Sequence, residues 1–342
     1  MPEMNPLEVL AVVDKDKASL ERSASGGAFA VLARAMLQSG GVVFGCVMGH
    51  DGIARHVSTD NLEGLRPMQG SKYVQSALGD TFEECRVLLG EGRNVLFSGT
   101  PCQINALRHF LRKKDSSQSE GLLITCDLIC HGVTDPLLLK LYYSWLEYKL
   151  KAVSGSIRFT FRSKKKGWGL HYELSYIHQT TGRRKVVFGP SNEDVYYRAF
   201  LNGGLYKSRC YSCRFACPQR VGDFTLGDFW GIESCHPDFA NEEGVSVVLL
   251  NTERSREFFY GKCSSRCDWI VSTFENACAQ NMNLVSPTSR SDEEKRLADA
   301  VGHALLENDA DKIFGNLLAE HGLKALVKKI IPRPILLKII DR

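Results

Sequence analysis

The chain has 342 residues, of which 44% are hydrophobic and 24% charged, a composition that fits a globular protein with a well-filled core and not a disordered one. A net charge of +4, with no Lys/Arg run interleaved with aromatics, excludes nucleic acid as an expected partner. No basic-then-apolar leader opens the sequence and no apolar run approaches the roughly 18 residues of a membrane span, so the expected address is the cytoplasm, where the 12 cysteines stay reduced.

Residues 8–14 (EVLAVVD) predict a strand, followed by Ser23-Ala24-Ser25-Gly26-Gly27 and a helix to about Gln38 that ends at Gly40-Gly41. Val42 to Val47 is an apolar strand, and residues 60–90 read as mainly helical around Gly70-Ser71-Lys72-Tyr73. Asn94 to Ser98 is a buried strand closed by Gly99-Thr100-Pro101, with a helix starting near Gln103. Gly121 to Asp127 is another strand, and Pro136 opens a helix to about Lys151, while Lys113 to Glu120 is the clearest exposed loop.

This alternation predicts an α/β layer over residues 8–150 with a parallel-rich sheet. From 151 to 302 the pattern turns antiparallel, in Ile157–Arg162, Tyr172–Ile177 and Lys185–Phe188, before a buried strand at Gly244–Asn251 and a helix from about Ser255. The expected fold is therefore mixed α/β (α+β), one domain over 1–302 with a helical tail over 303–342. In that tail, residues 312–331 place Ile313, Leu317, Leu318, Leu323, Leu326 and Ile330 at helical spacing beside Lys324, Lys328 and Lys329, continued by Arg333 and Lys338. Such a stripe either packs on the domain or lies, as a basic amphipathic helix, on a membrane surface or an acidic partner. An acidic electron carrier is the preferred partner.

The strongest chemical signal is Cys210-Tyr211-Ser212-Cys213, followed by Cys217-Pro218. A C-x2-C turn lets two thiolates converge on a metal or cluster, although zinc and a redox dithiol use the same spacing. Further ligands are sought at Cys102 and Cys130, which follow the C-terminal ends of two predicted parallel strands, the edge where open α/β sheets bind ligands. Cys46, Cys85, Cys126 and Cys278 read as small buried thiols, and Cys235, Cys263 and Cys267 follow no defensible ligand spacing. His131 is a site or a core histidine.

The serine–glycine segment before the first long helix reads as a phosphate-binding helix start or a plain N-cap. No G-x-G-x-x-G or Walker sequence is present. Gly227-Asp228-Phe229-Trp230-Gly231 is either a tight turn with a buried Trp or the wall of a planar cofactor site.

Taken in order, SASGG (23–27), GSKYVQ (70–75), GTPCQ (99–103), ICHG (129–132), FRSKKKGW (161–168), CYSC (210–213) and GDFTLGDFWG (222–231) resemble the coenzyme F420 hydrogenase/dehydrogenase beta-subunit family, over roughly residues 8 to 255. The resemblance implies an α/β core with an added antiparallel portion, a bound flavin, usually FAD, and one 4Fe-4S cluster. It implies that Cys102, Cys130, Cys210 and Cys213 are the cluster ligands, with Cys217 a neighbour. Flavin contacts would fall on Ser25, Gly26, Gly27, Ser71, Lys72, Tyr73, Gln75, Thr100, Gln103 and His131.

Longer members begin with a ferredoxin-like segment that this sequence lacks before Ser23, so electrons are expected from a separate ferredoxin-like carrier or partner subunit. Lys72, Arg162 and Lys164 would offer positive charge to a reduced flavin or an acidic substrate, or be solvated surface charges. The leading expectation is a flavin-dependent oxidoreductase acting on a small-molecule substrate or hydride carrier. A subunit of a larger complex and a zinc-stapled interaction protein are the alternatives.

Overall fold

The computed structural model describes residues 6–113 and 121–319. Eleven strands are found there, in chain order β1 (Glu8–Asp14), β2 (Val42–Met48), β3 (Ala54–Thr59), β4 (Val95–Ser98), β5 (Leu123–Leu128), β6 (Arg158–Thr160), β7 (His171–Ile177), β8 (Arg184–Pro190), β9 (Phe224–Asp228), β10 (Ser246–Leu250) and β11 (Cys267–Ser272). Eight of them form one sheet in the order β11-β1-β10-β9-β5-β4-β2-β3, and β6-β7-β8 form a small antiparallel sheet. The fold is thus mixed α/β, as the alternation of apolar runs and helical segments implies.

The centre of the large sheet, β9-β5-β4-β2, is parallel, and both flanks are antiparallel. Its central strands are buried on both faces, which is why β2, β4 and β5 carry near-continuous apolar runs. The helix Ala28–Gln38 covers one face, packing Ala28, Val31, Leu32, Ala35 and Met36 over Val43, Leu96, Ile124, Phe224 and Val248. The helices Thr81–Gly90 and Pro101–Lys113 close the other face through Cys85, Leu89, Ile104, Leu107 and Leu111.

A second core joins the helix Pro136–Leu150 to the small sheet through aromatic rings, with Tyr142 edge-on to Phe159 at 6.1 Å and Phe159 stacked on Tyr172 at 5.4 Å. In the helix Ala310–Ala319, Ile313, Phe314 and Leu317 are buried in this same core. The apolar stripe of the tail therefore packs on the domain as far as Leu317. The expected continuation through Leu323, Lys324, Leu326, Lys328, Lys329 and Ile330, and the loop expected to Glu120, lie outside the described residues. No helix among the described residues is long and apolar enough to cross a membrane.

Candidate functional site

The strands β2, β4, β5 and β9 end at a common edge, and the loops leaving β4 and β5 and the end of β9 enclose a cavity of about 280 Å³ together with segments 23–29 and 68–76. That volume lies just below the ~300–1,000 Å³ typical of small-molecule sites. Of the ten sequence-predicted flavin contacts, Ser25, Gly27, Ser71, Lys72, Tyr73, Thr100, Gln103 and His131 line it.

Gly26 and Gln75 do not. A Cβ on Gly26 would lie 2.1 Å from the Val12 carbonyl oxygen and 2.4 Å from Ser246 N, so this glycine lets the loop press onto the sheet. Gln75 instead accepts a hydrogen bond from Lys207 Nζ at 2.7 Å. Gly27, with φ of 82°, occupies the N-cap of the helix Ala28–Gln38, a conformation open to glycine at little cost. The serines before it give their hydrogens to main-chain carbonyls, Ser23 to Ser19 at 2.9 Å and Ser25 to Val245 at 2.7 Å, and so are not free phosphate donors.

The three cations singled out from the sequence are all drawn inward. Lys72 Nζ points at the carbonyl oxygens of Pro67, Met68, Gln69 and Gly70 at 2.8–3.1 Å, with no carboxylate partner among the described residues. Burial brings its pKa down to about 8. Lys164 likewise donates to the carbonyls of Leu20 and Ser25, at 2.7 and 2.6 Å, and burial brings it to about 8 as well. A solvated Lys164 is thereby ruled out: it ties the serine–glycine loop to the small-sheet side of the molecule.

Arg162 forms a bidentate pair with Asp228 at 2.8 and 2.7 Å, reaches the Ala24 carbonyl at 2.9 Å and lies over the Trp230 ring. Its charge is neutralised within the protein rather than offered to a ligand. Asp228 also accepts Trp168 Nε1, and Trp168 stacks on Trp230 at 4.6 Å. In the 227–231 segment, Gly227 and Asp228 reach the cavity wall while the fully buried ring is Phe229, not Trp230.

Four thiols gather beside the cavity. Cys130 lines it, and its pKa is pushed up to about 12, first by burial and then by the negative charge of Cys102, with smaller contributions from Cys210 and Cys213. Cys210 in turn is raised by burial and by Cys213 and Cys102. Residues far apart in sequence therefore lie within electrostatic reach of one another. No three His, Cys, Asp or Glu side chains among the described residues are drawn to the spacing of ligands on one metal ion. Cys217 turns to main-chain oxygens of Arg214 and Gln219, at 3.3 and 3.4 Å.

Among the other thiols, Cys85, Cys126, Cys263 and Cys267 are buried. Cys46 and Cys278, expected in the core, are only half-buried; Cys46 faces the cavity because β2 emerges there. Sequence reasoning missed His56. It lies in β3 opposite Cys46, lines the cavity, and bonds Ser98 O and Ser76 Oγ at 2.9 Å each. Nothing within a few residues of it signals that role, since its partners come from segments 20 and 42 residues away.

The arrangement is a cavity at the strand edge of a mixed α/β sheet, with Cys130 in its wall and three further thiols within electrostatic reach of Cys130. The family defined by the C-terminal part of the coenzyme F420 hydrogenase/dehydrogenase beta subunit matches residues 92–266, just over half of the chain. The chain belongs to this family and is an oxidoreductase-type subunit. A chain from the F420-reducing NiFe hydrogenase complex of Methanosarcina barkeri is similar in structure, with a TM-score of 0.49 at 17% identity over 91% of this chain and 90% of that one. No curated protein matches the sequence.

Proposed function

We propose that the chain is a flavin-dependent electron-transfer subunit in which Cys102, Cys130, Cys210 and Cys213 hold one 4Fe-4S cluster and the adjoining cavity holds FAD. The observation that carries this reading is Cys130, which lines the cavity and also lies within electrostatic reach of the other three thiols. A cluster of several irons is broader than a single ion and supplies the positive centre that four neighbouring thiolates need. Flavins exchange electrons in pairs with organic compounds and singly with iron–sulfur centres, so the two groups together connect a one-electron carrier with a hydride donor or acceptor.

The chain's own residues divide the work. Lys72 sets a positive charge against the cavity, and Tyr73, stacked on Phe200 at 4.6 Å, forms an aromatic wall. Gly27 and Ala28 bring the start of a helix to the rim, with the Ala28 N–H given to Ser246 Oγ at 3.4 Å. A ferredoxin-like carrier or partner subunit delivers electrons to the cysteine side, and a small two-electron substrate takes the open side of the cavity.

The test is anaerobic purification followed by iron, zinc and flavin analysis. About four irons per chain and releasable FAD are expected; Cys210→Ser loses most of the iron and Cys278→Ser keeps it. Zinc in place of iron, a chain with no flavin after anaerobic reconstitution, or equal iron in the two variants overturns the reading.

A further inference from the structure

Thr100 precedes the helix Pro101–Lys113, where a threonine hydroxyl ordinarily accepts the N–H of the third helical residue. Here that N–H, of Gln103, goes to the Thr100 main-chain oxygen at 2.9 Å. The reciprocal bond of the capping box is kept, with Gln103 Oε1 accepting Thr100 N–H at 2.9 Å. The Thr100 hydroxyl is left with two neighbours, Gln103 Oε1 at 3.1 Å and Cys102 Sγ at 3.2 Å.

The direction of the surrounding hydrogen bonds fixes which atom of the Gln103 amide faces Thr100. The Ser98 carbonyl only accepts, so His56 Nε2 carries the ring hydrogen. Burial lowers the His56 pKa and keeps the ring neutral, leaving Nδ1 to accept the Ser76 hydroxyl. Ser76 Oγ then accepts Gln103 Nε2 at 2.9 Å, which turns the amide oxygen toward Thr100. That oxygen already holds the Thr100 N–H and does not depend on the hydroxyl. As a ligand Cys102 is a thiolate, and a charge-assisted bond to it is stronger than one to a neutral amide oxygen.

We propose that Thr100 is a positioning residue of the redox centre, whose hydroxyl donates a hydrogen bond to the Cys102 sulfur and raises the reduction potential of the cluster. The inference rests on the cluster reading above. Hydrogen bonds to ligand sulfurs withdraw electron density and favour the reduced state, and they are among the protein's main means of setting such potentials. The chain from His56 through Ser76 fixes the Gln103 amide oxygen as the neutral acceptor with which the Cys102 thiolate competes for the hydroxyl.

The experiment is an EPR-monitored redox titration of the anaerobically purified full chain and three variants, with iron measured on each. Thr100→Val is expected to retain iron and shift the midpoint potential to a more negative value, and Thr100→Ser to restore it. Gln103→Leu removes the hydroxyl's other acceptor and is expected to leave the potential unchanged or more positive, which keeps the idea testable if Thr100→Val alone loses its cluster. Full iron with an unmoved potential in Thr100→Val, iron loss in Thr100→Val and Thr100→Ser alike, or a negative shift in Gln103→Leu overturns the inference alone. Absence of iron from the unsubstituted chain overturns the cluster reading and this inference with it.

Discussion

The guanidinium of Arg220 lies against the carboxylate of Asp127 at 2.9 Å, and both side chains are shut off from water. Its other N–H groups reach the carbonyls of Phe215, Cys217 and Leu128 at 2.9, 3.4 and 3.0 Å. One buried cation thus ties the loop after Cys213 to the strand end that leads into Cys130. Asp127 is further held by the N–H groups of Val221 and Gly222 and by Thr225 Oγ1.

Removing that cation leaves a buried carboxylate without its counter-charge, which typically costs about 3–5 kcal/mol. Arg220→Met is therefore expected to lower the unfolding free energy measured in urea by that amount and to bind less iron. Arg254→Met, whose guanidinium reaches the Leu123 carbonyl from an exposed position, serves as the comparison and should change little. Equal stability of the two variants would show that the clasp is not structural.

If FAD occupies the cavity as proposed, Lys72 gives that binding a pH dependence. Its pKa of about 8 results from burial, with the Cys46 thiol pulling weakly the other way; Cys46 and His56 are the titratable groups that face it. A bound anion favours the protonated ammonium, so above pH 8 binding must take up a proton, and affinity falls as pH rises. The expected loss approaches about tenfold per pH unit above that value. Fluorescence titration of the apoprotein with FAD between pH 7 and 9.5 measures it. Lys72→Met should bind more weakly with a flat profile; a profile as steep as that of the unsubstituted chain would remove Lys72 from the account.

Asp194 gives a pH dependence to the fold itself. Burial raises its pKa from 3.8 to about 6, against the opposing pull of the Tyr142 hydroxyl and the Tyr197 N–H, both of which donate to it. Between those values the folded chain binds more protons at this carboxyl than the unfolded one. Its contribution to stability is therefore fully present below about pH 3.8 and is lost as pH rises through 6, a change of at most about 3 kcal/mol. Asp194→Asn removes this titration, so the stability difference between variant and parent should move in the variant's favour from pH 4 to 7. A difference that stays constant across that range would contradict the assignment.

The legible part of this protein was the part where chemistry is local. Strands β2, β4 and β5 show as apolar runs closed by Gly and Pro because both faces are buried. Strand β9 was missed: Thr225 and Asp228 break its apolar run, and both are satisfied by partners such as Asp127 and Arg162 that lie 98 and 66 residues away. Strand β3 was missed for the same reason at His56. The C-x2-C pair announced itself by spacing, whereas Cys102 and Cys130 needed the parallel sheet to bring their strand ends together. Lys164 was the hardest to read, since a lysine in a basic run carries no mark of the carbonyls 139 and 144 residues away that it holds.

The end of the described chain separates a structural helix from a docking idea. In the helix Ala310–Ala319, Phe314 is fully buried between Tyr142 at 5.1 Å and Trp145 at 5.2 Å, and Asp311 receives Trp145 Nε1 at 3.0 Å and Lys149 Nζ at 2.9 Å. Phe314→Ala is expected to cost about 3–5 kcal/mol, and truncation after Asn308 would strip this cover from Tyr142 and Trp145. Such a cut should destabilise the domain and lower every activity together, so it cannot test docking. Removal of residues 320–342 spares the helix and deletes Lys324, Lys328, Lys329, Arg333 and Lys338. If those cations steer an acidic electron carrier, reduction by ferredoxin slows in the shortened chain while reduction by a small artificial donor is unchanged. The difference should be largest at low ionic strength, where electrostatic steering is least screened. Stopped-flow reduction at two salt concentrations measures both rates, and an unchanged ferredoxin rate at low salt would place the docking surface elsewhere on the domain.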